Sequence, residues 1–163
     1  MEEITAVGEP FLMNCQFWGP HGPYMPSEPF YGLHDPKEIP EWPNWDRSLS
    51  RLPRRLARER DDFYRAHPRS WEEQRVLVAR YYDMCAMIDY EIGRLLDWLE
   101  EAGLREKVIV VLASDHGDMN GSHGALQDKG FLYDDALKVP LVFSWPGTLE
   151  PSQPQDLAST MDI

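Results

Sequence analysis

Two patterns of apolar positions divide this chain. Tyr81, Met84, Ile88, Ile92, Leu95 and Leu99 recur at spacings of three and four, which puts one apolar stripe along a helix. Ser70 and Glu73 have the spacing of a capping box at its start, and Gly103 suits the left-handed position just past its end. A helix over about 71–102 is predicted. Elsewhere the apolar residues come in short, nearly continuous runs at 10–17, 108–113 and 139–145. Such runs predict buried strands, and the β-branched run at 108–113 predicts one covered on both faces. Helix, strand, connection, strand is the order of an α/β protein with a mostly parallel sheet flanked by helices.

Between the first strand and the helix the pattern breaks. Prolines 20, 23, 26, 29, 36, 40, 43 and 53 forbid a central strand or a long helix over about 19–53. Loops this long are usually functional or disordered. Phe30, Tyr31, Trp42 and Trp45 favour one packed down on the surface. Arg47, Arg51, Arg54, Arg55, Arg58 and Arg60 follow, and read either as a patch for an anionic ligand or as a solvated helix face balanced by Glu59, Asp61 and Asp62. The balanced face is the stronger expectation.

Composition narrows the classes. The chain has 163 residues, 42% of them apolar, enough for one domain with a real core and too many for a wholly disordered chain. No run reaches the roughly 18 apolar residues of a membrane span, and Met1-Glu2-Glu3 is not the start of a signal peptide. A net charge of -12 argues against nucleic acid as the main partner. Two cysteines, Cys15 and Cys85, cannot build a disulfide framework or a zinc cluster. They read as small buried packing residues, and as weak support for a reducing, cytoplasmic setting.

The residues richest in chemistry are Ser114-Asp115-His116-Gly117-Asp118, directly after the strand at 108–113. In open α/β sheets ligands bind beyond the carboxyl ends of strands. Asp115 offers a hard oxygen ligand and His116 an imidazole nitrogen, a pair able to hold a divalent cation. The other reading is a turn in which Asp115 caps nearby N–H groups. Gly117 lets the backbone turn without a Cβ clash.

The wider context of this pair resembles the sulfatase family of the alkaline-phosphatase-like superfamily. Matching residues are Val110-Val111-Leu112-Ala113-Ser114-Asp115-His116-Gly117-Asp118-Met119, Gly121, His123-Gly124, Lys129-Gly130, Tyr133, Val139-Pro140-Leu141 and Pro146-Gly147. The helix matches through Tyr82, Ile88-Asp89, Ile92-Gly93-Arg94-Leu95 and Glu101-Ala102-Gly103-Leu104. Pro20-His21-Gly22-Pro23-Tyr24 is similar to the family's Pro-His-x-Pro-aromatic segment. Three separated motifs in the right order make the match specific, with residues 27–70 generic.

The resemblance implies a sulfuric ester hydrolase with a Ca2+ or Mg2+ site, of which Asp115 and His116 are two ligands. It implies that Lys129 contacts the sulfate oxygens and that His21 stands by the leaving-group oxygen. His123 is expected to orient a ligand or bind substrate from further out, or only to cap the loop. A divalent cation and an ammonium would neutralise the sulfuryl group, and an imidazole can hand a proton to a departing alkoxide. For His21 and Lys129 the plainer readings are an exposed loop histidine and a surface lysine after a turn.

The sequence also departs from the family. The family's nucleophile is a formylglycine made from a Cys/Ser-x-Pro-x-Arg motif, and neither Cys15 nor Cys85 stands in one. The family's N-terminal acidic pair is missing too. The chain, 1–163, is therefore expected to be an internal fragment of a sulfatase catalytic domain, inactive alone, which leaves room for a signal peptide upstream. The implied substrate is a sulfate ester, with a sulfated carbohydrate in view, and local positive charge must overcome the acidic mean field. Two rivals remain. One is a phosphodiesterase or phosphonate ester hydrolase of the same superfamily. The other is an inactive module that pairs with itself, as a homo-oligomer, or with a complementary chain through open strand edges.

Overall fold

The computed structural model describes residues 9–45, 54 and 70–163. Of the arginine-rich stretch only Arg54 falls among them, and it is exposed. The other five arginines, and the end of the loop at 46–53, lie outside the described residues.

The long helix α1 runs Trp71–Glu101, 31 residues and about 46 Å of rise. Ser70 opens it as expected, with extended dihedrals and Oγ accepting the Glu73 N–H at 3.2 Å. At the other end Gly103 adopts φ +64°. Its N–H bonds to Glu100 O at 3.0 Å, and that of Leu104 bonds to Leu99 O at 2.9 Å. These are the two crossed bonds that close a helix in a Schellman motif.

The buried face of α1 is not the stripe the periodicity predicted. Trp71, Gln74, Val78, Ala79, Asp83 and Met84 are buried, all in the first half of the helix. Tyr81, Ile88, Ile92, Leu95 and Leu99 are only half-buried. Trp71, Val78 and Ala79 pack with Ile39, Trp45 and Ala125, with Trp42 against them. Three of these partners, Ile39, Trp42 and Trp45, thus come from the proline-rich loop. That loop contains a 3-10 turn, Pro36–Glu38, opened by Asp35, and is packed down as its aromatics predicted.

Asp83 explains how the loop is held. Its carboxylate is fully buried. Oδ2 accepts the Gly32 N–H and pairs with Arg80, both at 2.9 Å. Oδ1 accepts the His34 N–H and faces His34 Nδ1, also both at 2.9 Å. A buried carboxylate is tolerable when its lone pairs are matched in this way. Burial pushes the Asp83 carboxyl up, but the His34 ring, the two backbone N–H groups and the Arg80 charge outweigh it. The group ends below the usual carboxylate range.

Two strands follow, β1 at Val110–Ala113 and β2 at Leu141–Ser144. Both lie inside their predicted runs. They pair antiparallel, Val110 opposite Ser144 and Ala113 opposite Leu141, where a mostly parallel sheet was expected. The reason is the connection. Residues 114–140 carry a one-turn segment, Ser122–Ala125, and the one-turn helix α2, Asp134–Leu137. Neither is a crossover helix able to return the chain to the start of β1. The chain instead re-enters beside the end it left.

Two further expectations change. Val111 and Leu112, which point to opposite faces, are 39% and 42% exposed, so the described residues cover neither face of the ribbon. Residues 10–17 form no strand and are exposed, Cys15 included. A strand is defined by its ladder, and among the described residues β1 and β2 pair only with each other. Cys85 is half-buried, and burial raises its thiol pKa. No helix of the described residues is long and apolar enough to cross a membrane.

Candidate active site

Asp115 and His116 emerge directly beyond the C-terminal end of β1. The Asp115 side chain is 86% exposed and that of His116 29%. Asp115 Oδ1 accepts the His116 N–H at 3.0 Å, and Ser114 Oγ donates to His116 O at 2.9 Å, which fixes the turn. Gly117 is required here for space: a Cβ would run into the Asp135 carbonyl oxygen. Its N–H bonds to Ala136 O at 2.9 Å, tying the turn to α2.

His21 arrives from the other end of the chain. Residues 18–24 cross α1 so closely that a Cβ at Gly19 would lie 2.8 Å from Met84 Cε. His21 then sits 6.0 Å from His116 between ring centroids, edge to face. Its Nε2 is 2.6 Å from Lys129 Nζ. Lysine's ammonium can only donate, so Nε2 accepts. Nδ1 lies 2.7 Å from Gly22 O, a carbonyl that can only accept, so Nδ1 carries the proton. His116 repeats the device, with Nδ1 2.7 Å from Gly117 O. Its Nε2 lone pair is thereby left available, 3.8 Å from Asp115 Oδ2.

Four of the five sequence-predicted residues therefore converge: Asp115, His116, His21 and Lys129. His123 does not join them through any contact of its own. It stacks on Tyr133, with centroids 4.0 Å apart and planes at 13°, and its Nε2 lies 3.2 Å from Asp135 Oδ2. Asp135 also accepts from Ser122 Oγ at 2.7 Å. His123 thus braces the site loop.

The loop between Asp118 and Lys129 is held from beneath by amides. Gln74 Nε2 donates to Asn120 O at 2.8 Å, and Gln127 Nε2 donates to Gln74 Oε1 at 2.6 Å. Asn120, His123, Ala125 and Asp128 all have positive φ. Backbone this strained persists only where surrounding bonds over-determine it. Met119, Leu126, Phe131 and Ala136 form a small apolar cluster under it.

Sequence reasoning assigned no role to Tyr24 or Asp118, although both stood in quoted motifs. The Tyr24 hydroxyl donates to Asp118 Oδ2 at 3.0 Å. Asp118 also borders a groove of about 400 Å3, lined with Trp42, Asn44, Ser122 and Asp135 among others.

Asp115 and His116 suit a divalent cation in donor type and in the free Nε2, as one half of a site. Among the described residues no group of three or more His, Cys, Asp or Glu side chains is placed to hold a metal ion. Chemically, the arrangement presents a cation from Lys129, an imidazole and a carboxylate–imidazole pair to one exposed spot.

The family model described as Sulfatase matches residues 1–163. An arylsulfatase of Clostridium perfringens is 30% identical over 146 residues, covering 86% of this chain and 29% of that protein. Human iduronate 2-sulfatase is 28% identical over 158 residues, covering 90% and 28%. Among solved structures, a phosphonate monoester hydrolase from Silicibacter pomeroyi superposes with a TM-score of 0.66 at 25% identity, covering 78% of this chain and 27% of that one. The chain thus spans less than a third of the length of each.

Proposed function

This chain belongs to the sulfatase family, and from that premise we propose that it supplies the leaving-group side and half the metal site of a sulfate ester hydrolase. One observation supports this most directly: His21 and Lys129, 108 positions apart, meet at 2.6 Å beside Asp115 and His116. In this reading Lys129 holds sulfate oxygens through charge-assisted hydrogen bonds. Asp115 and His116 hold Ca2+ or Mg2+. When bound, that ion would polarise the sulfuryl group and offset the charge that builds on it. As a sulfate oxygen takes over the Lys129 N–H groups, His21 Nε2 is released from its resting contact. Once released, Nε2 takes a proton from solvent; His21 then passes it to the departing alkoxide as the sulfur–oxygen bond breaks and sulfur bonds to the nucleophile, which these 163 residues do not supply. The family's nucleophile motif does not occur in these 163 residues, so this chain alone should show negligible turnover of an aryl sulfate. A sulfated carbohydrate is the substrate class we favour, in line with the similarity to a protein named iduronate 2-sulfatase.

Titration calorimetry of the 163-residue chain tests the reading. Inorganic sulfate should bind, and Lys129→Ala should weaken it by about tenfold or more, as expected for loss of charge-assisted bonds. Ca2+ or Mg2+ binding should be lost in His116→Ala. Sulfate affinity that ignores Lys129, or robust turnover by this chain that His116→Ala abolishes, would overturn the proposal. The structural likeness to a phosphonate monoester hydrolase supports a second reading. Methylphosphonate binding clearly tighter than sulfate would favour it.

A further inference from the structure

The site as read so far uses Asp115, His116, Lys129 and His21 and leaves one link between its two halves without a role. Tyr24 and Asp118 are 94 positions apart, and the Tyr24 hydroxyl meets Asp118 Oδ2 at 3.0 Å. The other carboxylate oxygen accepts the Asn120 N–H at 2.7 Å, so Asp118 is anchored in the site loop. Tyr24 is anchored in turn, its ring edge-on to Tyr81 of α1 at 5.6 Å and 84°. Tyr24 follows His21 by three residues, and Asp118 follows His116 by two. Apart from the contacts of His21 itself, this bond therefore ties the two halves of the site close to its candidate residues.

We infer that Tyr24 is a positioning residue: its hydroxyl, held on Asp118, locks the loop carrying His21 to the loop carrying Asp115, His116 and Lys129, and so sets the contact between His21 and Lys129. Segment 18–24 has two fixed points, and His21 lies between them. One is Gly19, pressed onto Met84 and Ile88 of α1. The other is the Tyr24 bond. Releasing the second frees the end that orients the imidazole, while Gly19 and the Tyr24–Tyr81 ring contact keep the segment on the helix. Burial first, then the Asp118 charge and hydrogen bond, push the Tyr24 phenol pKa well above its ordinary value. The phenol thus remains a donor at any working pH.

What the His21–Lys129 contact is for rests on the sulfatase reading; the tie itself does not. Tyr24→Phe removes the hydroxyl and keeps the ring, so it separates positioning from packing. The measurement is the imidazole 15N spectrum of the 163-residue chain. Lys129→Ala gives the His21 Nε2 resonance without its donor. Tyr24→Phe should move that resonance most of the way to the same position, and so should Asp118→Ala. Asp118→Asn keeps one acceptor oxygen for the two donors that Asp118 serves, and should leave the resonance between the two positions. The His34 ring, bound to Asp83 elsewhere, serves as the internal control and should not move. A His21 resonance unchanged in Tyr24→Phe, or one that shifts only together with His34, overturns the inference. Inorganic sulfate titrations then address function. Tyr24→Phe should change sulfate affinity in the wild-type background and leave it unchanged in the Lys129→Ala background. Sulfate binding insensitive to Lys129 would sink the sulfatase reading while the spectra still decide the tie.

Discussion

Asp83 concentrates more of this molecule's order than any residue of the site. One carboxylate without access to water joins two backbone N–H groups, an imidazole and a guanidinium. Through them the proline-rich loop is attached to α1. Asp83→Asn keeps the shape but leaves the Arg80 charge, only 13% exposed, without its counter-ion. We expect a loss of about 3 kcal/mol, read by urea denaturation. The pH dependence has a definite sign. Because the folded pKa is lowered, the stabilisation from Asp83 is complete above about pH 4, near the unfolded value. It is lost as the pH falls from there through the folded value. Melting temperatures between pH 2 and 7 should therefore drop more steeply at the acid end for wild type than for Asp83→Asn. The candidate site residues could be named from short motifs, because Asp115-His116 and Lys129 lie in local sequence patterns. Asp83–His34 and Tyr24–Asp118 were not, since each is a long-range pair of polar groups. Nothing in one sequence says which donor meets which acceptor across such a distance.

Among the elements, α1 shows where periodicity succeeds and where it misleads. Its ends were readable because caps are local: Ser70 bonds three residues ahead, and Gly103 closes onto the last turn. Its buried face was not, because apolar periodicity leaves out Gln74 and Asp83, two buried polar residues whose side-chain partners, Arg80 of α1 apart, come from loops. The site loop depends on the first of these. Gly121 has φ +95°, and a Cβ there would lie 2.7 Å from Gln74 Cδ. Gly121→Ala should combine backbone strain with a displaced buried amide and cost about 2–4 kcal/mol. Equilibrium unfolding measures that cost. Amide exchange should show the loss of protection concentrated in residues 118–128, with the far end of α1 unaffected.

For the whole molecule, the α/β class was readable from the order of apolar runs, and the family from motifs that span them. Strand direction was not, because direction depends on how a connection folds. Nor was the exposure of β1 and β2, since a run of apolar residues states what a strand can bury and not what covers it. Val111, Leu112, Val142 and Phe143 leave apolar surface on both faces of the ribbon. Surfaces of this kind, with open edges, promote association. Light scattering on the 163-residue chain should show mass rising with concentration, and Val142→Lys with Phe143→Lys, on opposite faces, should shift it toward monomer. A monomer at every concentration would count against the pairing of copies.

The meeting of Ala113 with Leu141 makes residues 114–140 a ring closed by two short strands. For a flexible loop the entropy of closure grows only logarithmically with length, about 0.6 kcal/mol for each doubling. Added residues at its exposed stretch around Leu132 would therefore cost little, provided the ribbon stays paired. Asp115 sits at the neck of the ring and Lys129 on its rim. The rim can lengthen and change composition over evolutionary time while the neck keeps its geometry. A ring of this kind can vary at its rim without moving its neck.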